Sequence, residues 1–600
     1  VNATDRDADA AANTDAPKRG GRTGDSGTVP ATGSDPGRSV TGGSEANGGP
    51  GAAGAEGSGS GSATDAASGA DRPAGAIDDG RLVPAGPDGN GPTATAESPM
   101  ARRADAIDDG RRRPGSAGGS GFASSAAATA GPAAPRRTAR SAEPEPAAGS
   151  SFARRADAIV ADRLKAAAER EPLPGKATGA TAVELAASLS AGSPHAERFT
   201  AEIAAAVRGT ALALEAARPH PTDLWAAASA FHADPSVWFE QAVLLGHPTH
   251  PLARSRGELT DDEIRAYAPE HRARFALGEY AFDTVRRNGA NPPAGGTGVP
   301  VHPWQARRYG LDAPVHVHEG AAPLMSLRTV SIGGQHVKTA VDLQLTSAVR
   351  HVSPASMHNG PAIAQLLAPE ARRCGITLVP EAAVSAVAAD GERDRRLAAI
   401  VRPAPHTLGH PRTVPFAALA EPCPSDGRPI AVAFTGDDPE AWWAAFTRVA
   451  LAPLRLFAAT GVALEAHGQN TLASFTGDRP VSLVYRDFGG VRVPAADGWA
   501  DVEGDLVEAD PEARLTKLLA ALFPTTLTAI VGALAEWSDT DPGKWWSTVA
   551  SAVRDLDLDP WIADAVLRHP WPIKATTAMR LAAKPTEDIW VSVENPVAAA

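Results

Sequence analysis

An α+β fold is predicted by three features of this 600-residue chain. Helical patterns come first, strand-like runs gather in the middle, and long helices return toward the C-terminal end. Strands and helices do not alternate regularly, which argues against a Rossmann domain or a TIM barrel. About 450 residues carry this pattern, enough for a sizeable core.

Residues 1–150 read as a disordered, low-complexity tail. They hold 28 of the 58 glycines, one aromatic residue (Phe122) and none of the 12 tryptophans. Such a stretch cannot bury enough apolar surface to offset its ordering entropy. AIDDGR occurs at 76–81 and 106–111, and ARRADAI at 101–107 and 153–159. Two copies are too few for a solenoid. With Val1 at the start and Met100 beside one echo, they fit low-complexity drift or an over-extended gene model.

The folded part is expected to start near Ser151. Ala153–Glu171 is rich in Ala, Arg and Leu and reads as a helix, ended by Pro172, Pro174 and Gly175. Helical patterns follow at 193–218, 222–245 and 261–287, and 291–298 reads as a Pro/Gly loop. Strand-like runs occur at 325–332, 337–350, 376–388, 428–434 and 481–487. Helices are expected at 440–460, 512–537 and near 562–583.

Charge and composition narrow the function. A net charge of -13 without a dense basic block argues against nucleic-acid binding. Two cysteines, Cys374 and Cys423, do not make a disulfide framework or a cysteine zinc site. No 18 apolar residues run unbroken, and no charged region followed by an apolar one opens the chain, so neither a membrane span nor a secretory signal is expected. A soluble cytoplasmic protein is the default.

Four clusters carry chemistry. GHPTHP (246–251) sets His247 and His250 between prolines that stop a helix. Without cysteine or HExxH a zinc site is disfavoured. With Arg254 and Arg256 close by, an anion pocket is the sharper expectation, an ordinary surface turn the plainer one. In VHPWQ (301–305), Trp304 beside His302 is expected to pack a domain junction. In the run from Ser326 to Arg350, Gly333-Gly334 predicts a hairpin turn. The period of two then gives Ser326 and Arg328 one face and Thr329 the other. With Lys338 and Arg350 beyond the turn, these groups suit phosphate or carboxylate oxygens. No GxxxxGK[ST] loop is present.

The fourth cluster is EAHGQN (465–470) followed by YRDFGG (485–490). Asp487 is expected at a strand end, with His467 and Asn470 converging on a nucleotide and its Mg²⁺. The kinase pairs HRD…N and DFG are approached, but no GxGxxG loop precedes them. Gln469 stands where small-molecule kinases carry an aspartate base. A kinase needs a base near the acceptor hydroxyl, whereas a carboxylate acceptor needs none. A kinase-like small-molecule phosphotransferase is the alternative reading.

In their order and spacing, GHPTHP, YAPE (267–270), VHPWQ, SLRT (326–329), Lys338 with Arg350 in TSAVR, EAHGQN and RDFGG resemble the IucA/IucC family of siderophore synthetases. The resemblance spans roughly 190–596 and takes in Asn595-Pro596. It implies a cupped hand: a mainly helical thumb-like region (151–300), a mixed α/β nucleotide-binding fingers-like region (301–435) and a mainly helical palm-like region (436–600). It implies ATP-dependent adenylation of a carboxylic acid such as citrate or a citrate or succinyl derivative, then condensation with an amine or hydroxyl and release of AMP and pyrophosphate. Mg²⁺ is required, and a homodimer is common.

By the same resemblance Ser326, Arg328, Thr329, Lys338 and His467 bind nucleotide phosphates. Asn470 and Asp487 stand near nucleotide and metal, with Glu465 as a helper at the metal. One of His247 and His250, together with Arg350, contacts phosphate and the acid. Arg328, Lys338, Arg350 and His467 form the implied catalytic set. Three departures stand out: Arg254 replaces a usual lysine, Glu258 replaces a usual glycine, and the short gap from Thr329 to Lys338 suggests a tighter hairpin.

Overall fold

The computed structural model describes residues 148–289, 298–346, 348–389, 392–582 and 588–598. The expected tail up to residue 147 and residues 291–297 of the expected Pro/Gly loop lie outside the described residues. All the described residues fall within one unit of the fold.

Three helices open the fold: α1 (Ala148–Arg170), α2 (Ala182–Leu189) and α3 (Ala196–Ala216). Their apolar stripes meet through Val160, Leu164, Leu185, Leu189, Phe199 and Ile203. Thr181 and Glu184 close a capping box that starts α2. The expected helix at 222–245 is two, α4 (Leu224–Phe231) and α5 (Ser236–Ala242), because Pro235 disfavours helical backbone at Asp234. The expected helix at 261–287 is corrected more deeply. Only α6 (Asp261–Tyr267) is α-helical; a 3₁₀ turn (Pro269–His271) follows, Arg272 turns to φ 55°, and β1 (Phe275–Tyr280) and β2 (Val285–Gly289) come next. Sheet partners outweigh the local helical pattern there.

The chain continues through β3 (Val299–Val301), α7 (Pro303–Arg308), β4 (His316–Pro323), β5 (Thr329–Ile332), β6 (Gln335–Thr339), β7 (Val341–Leu345), β8 (Ala348–Arg350) and α8 (Pro354–Arg373). Then come β9 (Ile376–Leu378), β10 (Ala383–Ala389), β11 (Glu392–Pro403), β12 (Thr413–Pro415) and α9 (Phe416–Leu419). Eight strands form one antiparallel sheet in the order β2-β10-β11-β6-β5-β4-β1-β3. The predicted turn at Gly333 and Gly334 joins β5 to β6, with φ of 57° and 76° that only glycine adopts freely.

Cross-strand register makes this sheet two-faced. Val330 faces Val337, which faces Val401, on an apolar side. Thr329 faces Lys338, and Ser331 faces His336, which faces Arg402, on the other. That polar row is one wall of the site.

The C-terminal part holds α10 (Pro439–Ala450), α11 (Ala452–Thr460), β13 (Thr471–Thr476), β14 (Arg479–Tyr485), α12 (Pro511–Ala521), α13 (Thr528–Ser538), α14 (Pro542–Arg554), α15 (Pro560–Leu567), β15 (Trp571–Lys574), α16 (Thr576–Leu581) and β16 (Trp590–Val593). A second sheet runs β12-β13-β14-β9. The helices cover it in the largest core, around the fully buried Trp443, Phe416, Phe446, Phe523 and Trp571. The expected strand at 428–434 is a 3₁₀ turn, Ile430–Phe434, which follows Pro429. The expected helix near 562–583 is interrupted by β15, since Pro572 cannot continue a helix.

Between α12 and α13 the helix widens to a π-type turn over Leu522–Leu527. Pro524 removes a donor and crowds the preceding turn. Threonine hydroxyls take up the offset: Thr525 Oγ1 donates to Ala520 O (3.0 Å), Thr526 Oγ1 to Ala521 O (2.8 Å) and Thr528 Oγ1 to Phe523 O (3.0 Å). The continuous segment Pro511–Ser538 is long and apolar enough by composition to cross a membrane, yet its most apolar window is 72% buried within the fold.

Candidate active site

Lys338, on the polar face of β6, points at the end of β14. Its Nζ donates to both Asp487 oxygens, at 2.9 and 2.7 Å. Arg402 from β11 stands 3.9 Å from Asp487 Oδ2. Burial works to raise the Asp487 pKa, but Lys338, Arg402 and Arg328 hold it well below the usual carboxylate range. Burial lowers the Lys338 pKa, and Asp487 pulls it back. Asp487 adopts φ 75°, a left-handed conformation costly for most residues and tolerated by Asp and Asn.

Arg328 approaches from the turn before β5. It donates to the carbonyls of Arg350 (3.0 Å) and His351 (2.8 Å), fixing the short β7–β8 hairpin. Burial, then the neighbouring Arg350 charge, brings its pKa down to about 10. Leu327, between Ser326 and Arg328, sits at φ 69° with its side chain fully buried. This corrects the expected facing: the strand begins only at Thr329, so the period of two does not reach Ser326 and Arg328. Thr329 instead pairs with Lys338 and shares its face. Ser326 Oγ accepts from Thr329 N–H at 3.3 Å, closing the turn.

The loop before β13 brings the second set. Asn470 Nδ2 lies 3.2 Å from His467 Nε2, and Glu465 Oε2 lies 3.9 Å from that nitrogen. A Cβ on Gly490 would meet Glu465 Oε2 at 2.0 Å, and one on Gly489 would lie 3.5 Å from Asp487 Oδ1. Both carboxylates therefore lie against one glycine turn. Arg350 feels Glu465 and Asp487 together.

The GHPTHP loop follows α5. His250 is 4% exposed. Its Nδ1 accepts the Leu252 N–H at 3.0 Å, so the neutral ring carries its proton on Nε2, and that buried nitrogen has no hydrogen-bond partner. Burial, then the charges of His247, Arg163 and Arg350, keeps its pKa well below the ordinary value. His247 is open to solvent, but crowding by protein atoms, then His467 and Arg163, lowers its pKa as well.

The expectation that Arg254 and Arg256 complete an anion pocket is overturned. Arg254 donates to Leu244 O and Val243 O (both 2.5 Å), and both arginines pair with the buried Glu270. Glu270 is an acceptor that no window around 246–256 contains. His302 and Trp304 pack as a junction: Trp304 enters an apolar cluster, and Gln305 links Asp342 N–H to Arg396 O at 2.9 Å each.

Sequence reasoning missed Arg402 and Glu381. Each was a lone charge in an apolar run, LAAIVRP and LVPEAAV, which was the available signal. Glu381 is fully buried, neither of its carboxylate oxygens has a hydrogen-bond partner, and burial pushes its pKa up to about 7.

Whether ATP and Mg²⁺ fit can be judged from the donors. Lys338, Arg328, Arg350 and Arg402 give excess positive charge around Asp487, and His250 Nε2 is an unused donor. Among the described residues no group of three or more His, Cys, Asp and Glu could hold a metal. Mg²⁺ usually takes one or two carboxylates and completes its shell with phosphate oxygens and water. Asp487 and Glu465, with the Asn470 amide, suit that mode.

A model of the IucA / IucC family matches residues 236–284 and 279–421. A second, described as ferric iron reductase FhuF-like transporter, matches 440–584. That second segment has no cysteine, the usual ligand of iron–sulfur clusters. Staphyloferrin A synthase from Staphylococcus aureus is 24% identical over 430 residues, 61% of this chain and 73% of that protein. The rhizobactin siderophore biosynthesis protein RhbC from Rhizobium meliloti is 26% identical over 369 residues, 49% of this chain and 62% of that one. The ATP-bound aerobactin synthetase IucA from Klebsiella pneumoniae shares the fold, with a TM-score of 0.59 at 20% identity, covering 70% of this chain and 88% of that one. The matching model, these relatives and the shared fold agree: the chain is similar to the IucA/IucC family over residues 236–421 and shares the fold of a solved aerobactin synthetase.

Proposed function

We propose that this protein is an ATP-dependent siderophore synthetase that adenylates a carboxylic acid, citrate or a citrate or succinyl derivative, and joins it to an amine or hydroxyl nucleophile. The observation that carries the reading is the cationic set Lys338, Arg328, Arg350 and Arg402 gathered around Asp487. A carboxylate approaching a triphosphate meets like charge, and such a set offsets it.

In the first step an acid oxygen bonds to the α-phosphorus and the bond to the β-phosphate oxygen breaks, releasing pyrophosphate. Arg350 orients the acid, with the His250 Nε2 donor within its electrostatic reach. Lys338, Arg328 and His467 hold phosphate oxygens, with Ser326 and Thr329 on the turn that carries Arg328. Preorganised donors of this kind stabilise charge that develops in the transition state. Bound Mg²⁺, at Asp487 with Glu465 and Asn470, would supply further charge neutralisation. In the second step the nucleophile bonds to the acyl carbon, AMP leaves, and the nucleophile's proton goes to solvent. Gln469 supplies no base, and none is needed for a carboxylate acceptor. The thumb, fingers and palm division, cytoplasmic location and a homodimer belong to the same reading.

The test is product analysis. With ATP, Mg²⁺ and the right polycarboxylic acid, citrate first, added hydroxylamine traps an acyl hydroxamate while AMP and pyrophosphate accumulate together. Acid-dependent ADP and phosphate without AMP would replace adenylation with phosphoryl transfer.

A further inference from the structure

Three segments of the site, at Met325, Gln469 and Arg486, come from distant parts of the chain, yet all are tied to one buried carboxylate on α5, Gln469 through Arg486. Glu240 is fully buried and Arg486 is 3% exposed. One Glu240 oxygen takes the Arg486 guanidinium, and the other accepts the Met325 N–H at 3.0 Å, directly before the Ser326–Thr329 turn. The same Arg486 Nη2 donates to Gln469 O at 2.9 Å, inside the segment that carries His467 and Asn470. The Arg486 N–H donates to Asn470 O at 3.1 Å. Arg486 is bonded to Asp487, whose left-handed backbone ties its direction to the placement of its neighbour. The next α5 residue strengthens the anchor: Gln241 Nε2 donates to Pro323 O at 2.8 Å and Gln241 Oε1 accepts from Arg274 Nη1 at 3.1 Å.

A buried ion pair repays its desolvation only when its remaining hydrogen-bonding groups are well placed. Here the second Glu240 oxygen, Arg486 Nη2 and the Arg486 N–H are spent on backbone that carries site residues, and Arg486 Nη1 is left without a partner. We propose that the Glu240–Arg486 pair is a positioning device, setting the Ser326–Thr329 turn, the Glu465–Asn470 segment and Asp487 at one fixed separation. The residues assigned to phosphate and those assigned to metal then meet the same nucleotide. Neither member is assigned a contact with substrate, and the inference rests on the nucleotide site proposed above.

Arg486→Lys keeps the charge but loses the planar fork that reaches a carboxylate and a carbonyl together. Its KM for ATP, and the Mg²⁺ concentration giving half-maximal rate, are expected to rise at least tenfold. The KM for the acid should change less than threefold, because neither member bonds Arg350 or His250 directly and Arg350 is reached only at second hand, through Arg328. ATP binding measured by calorimetry should weaken in parallel, without turnover. Glu240→Gln should do the same. Where a single variant does not fold, Glu240→Leu with Arg486→Met removes both charges and leaves neither one buried without its counter-charge, and should fold with the same loss of ATP binding. A folded variant with wild-type ATP affinity and Mg²⁺ demand, or one that loses only kcat, overturns the proposal. The two readings fail separately: ADP formation by the wild-type protein sinks adenylation, whereas the pair is judged on ATP binding by its variants.

Discussion

Lys338 and Asp487 are 149 residues apart in sequence, yet the ammonium of one donates to both carboxylate oxygens of the other. The pair joins the eight-stranded sheet to the end of β14 and pulls down a carboxylate pKa that burial pushes up. Lys338 favours the ionised Asp487, and Asp487 favours the protonated Lys338.

Asp487→Asn tests this directly. Asparagine tolerates the left-handed backbone, so the protein should stay folded. Activity should fall by more than roughly 100-fold, the scale of a key electrostatic contact. Near-normal turnover at saturating ATP and Mg²⁺ removes Asp487 from the site.

Arg350→Ala separates acid from nucleotide. The acid's KM should rise roughly 10- to 100-fold, the worth of a hydrogen bond to a charged group, while the KM for ATP moves less. Steady-state kinetics with each substrate varied in turn gives the answer. A larger effect on ATP would reassign Arg350 to the phosphates.

The buried Glu270 predicts an acid-labile fold. Burial raises its pKa, but Arg254 and Arg256 bring it down to about 2, below the ordinary carboxylate value. A depressed folded pKa gives stability that is present above the unfolded pKa of about 4.3 and lost as pH falls toward the folded value. The contribution is on the order of a few kcal/mol. Thermal melting should show Glu270→Gln less stable at pH 7, with two arginines left unpaired, and less sensitive to pH between about 5 and 2. An unchanged melting profile across that range counts against the assignment.

A chain beginning shortly before Ala148 should fold and remain active, because residues 1–147 carry almost no core-forming side chains. Circular dichroism and the hydroxylamine assay check both halves of this. Loss of either would give the N-terminal segment a role its composition does not suggest.

Local chemistry was legible in the residues themselves. Gly333-Gly334 marked its hairpin because only glycine takes two successive positive φ values freely. Thr181 with Glu184 carries a capping-box spacing, and the prolines after Glu171 end α1, because such signals act within a few residues. The matching strings at 246–251, 326–329, 465–470 and 486–490 already placed the chain among its relatives. Tertiary structure decided what distance hides. It made strands of 275–289, spent Arg254 and Arg256 on Glu270 and backbone carbonyls, and brought Arg402 and Glu381 beneath the site. It also set Leu327 in left-handed backbone, which its local propensity disfavours. The reason is common to all of these. Propensity and periodicity act within a few residues, whereas a buried charge is placed by its partner, and here the partners lie on other strands and helices.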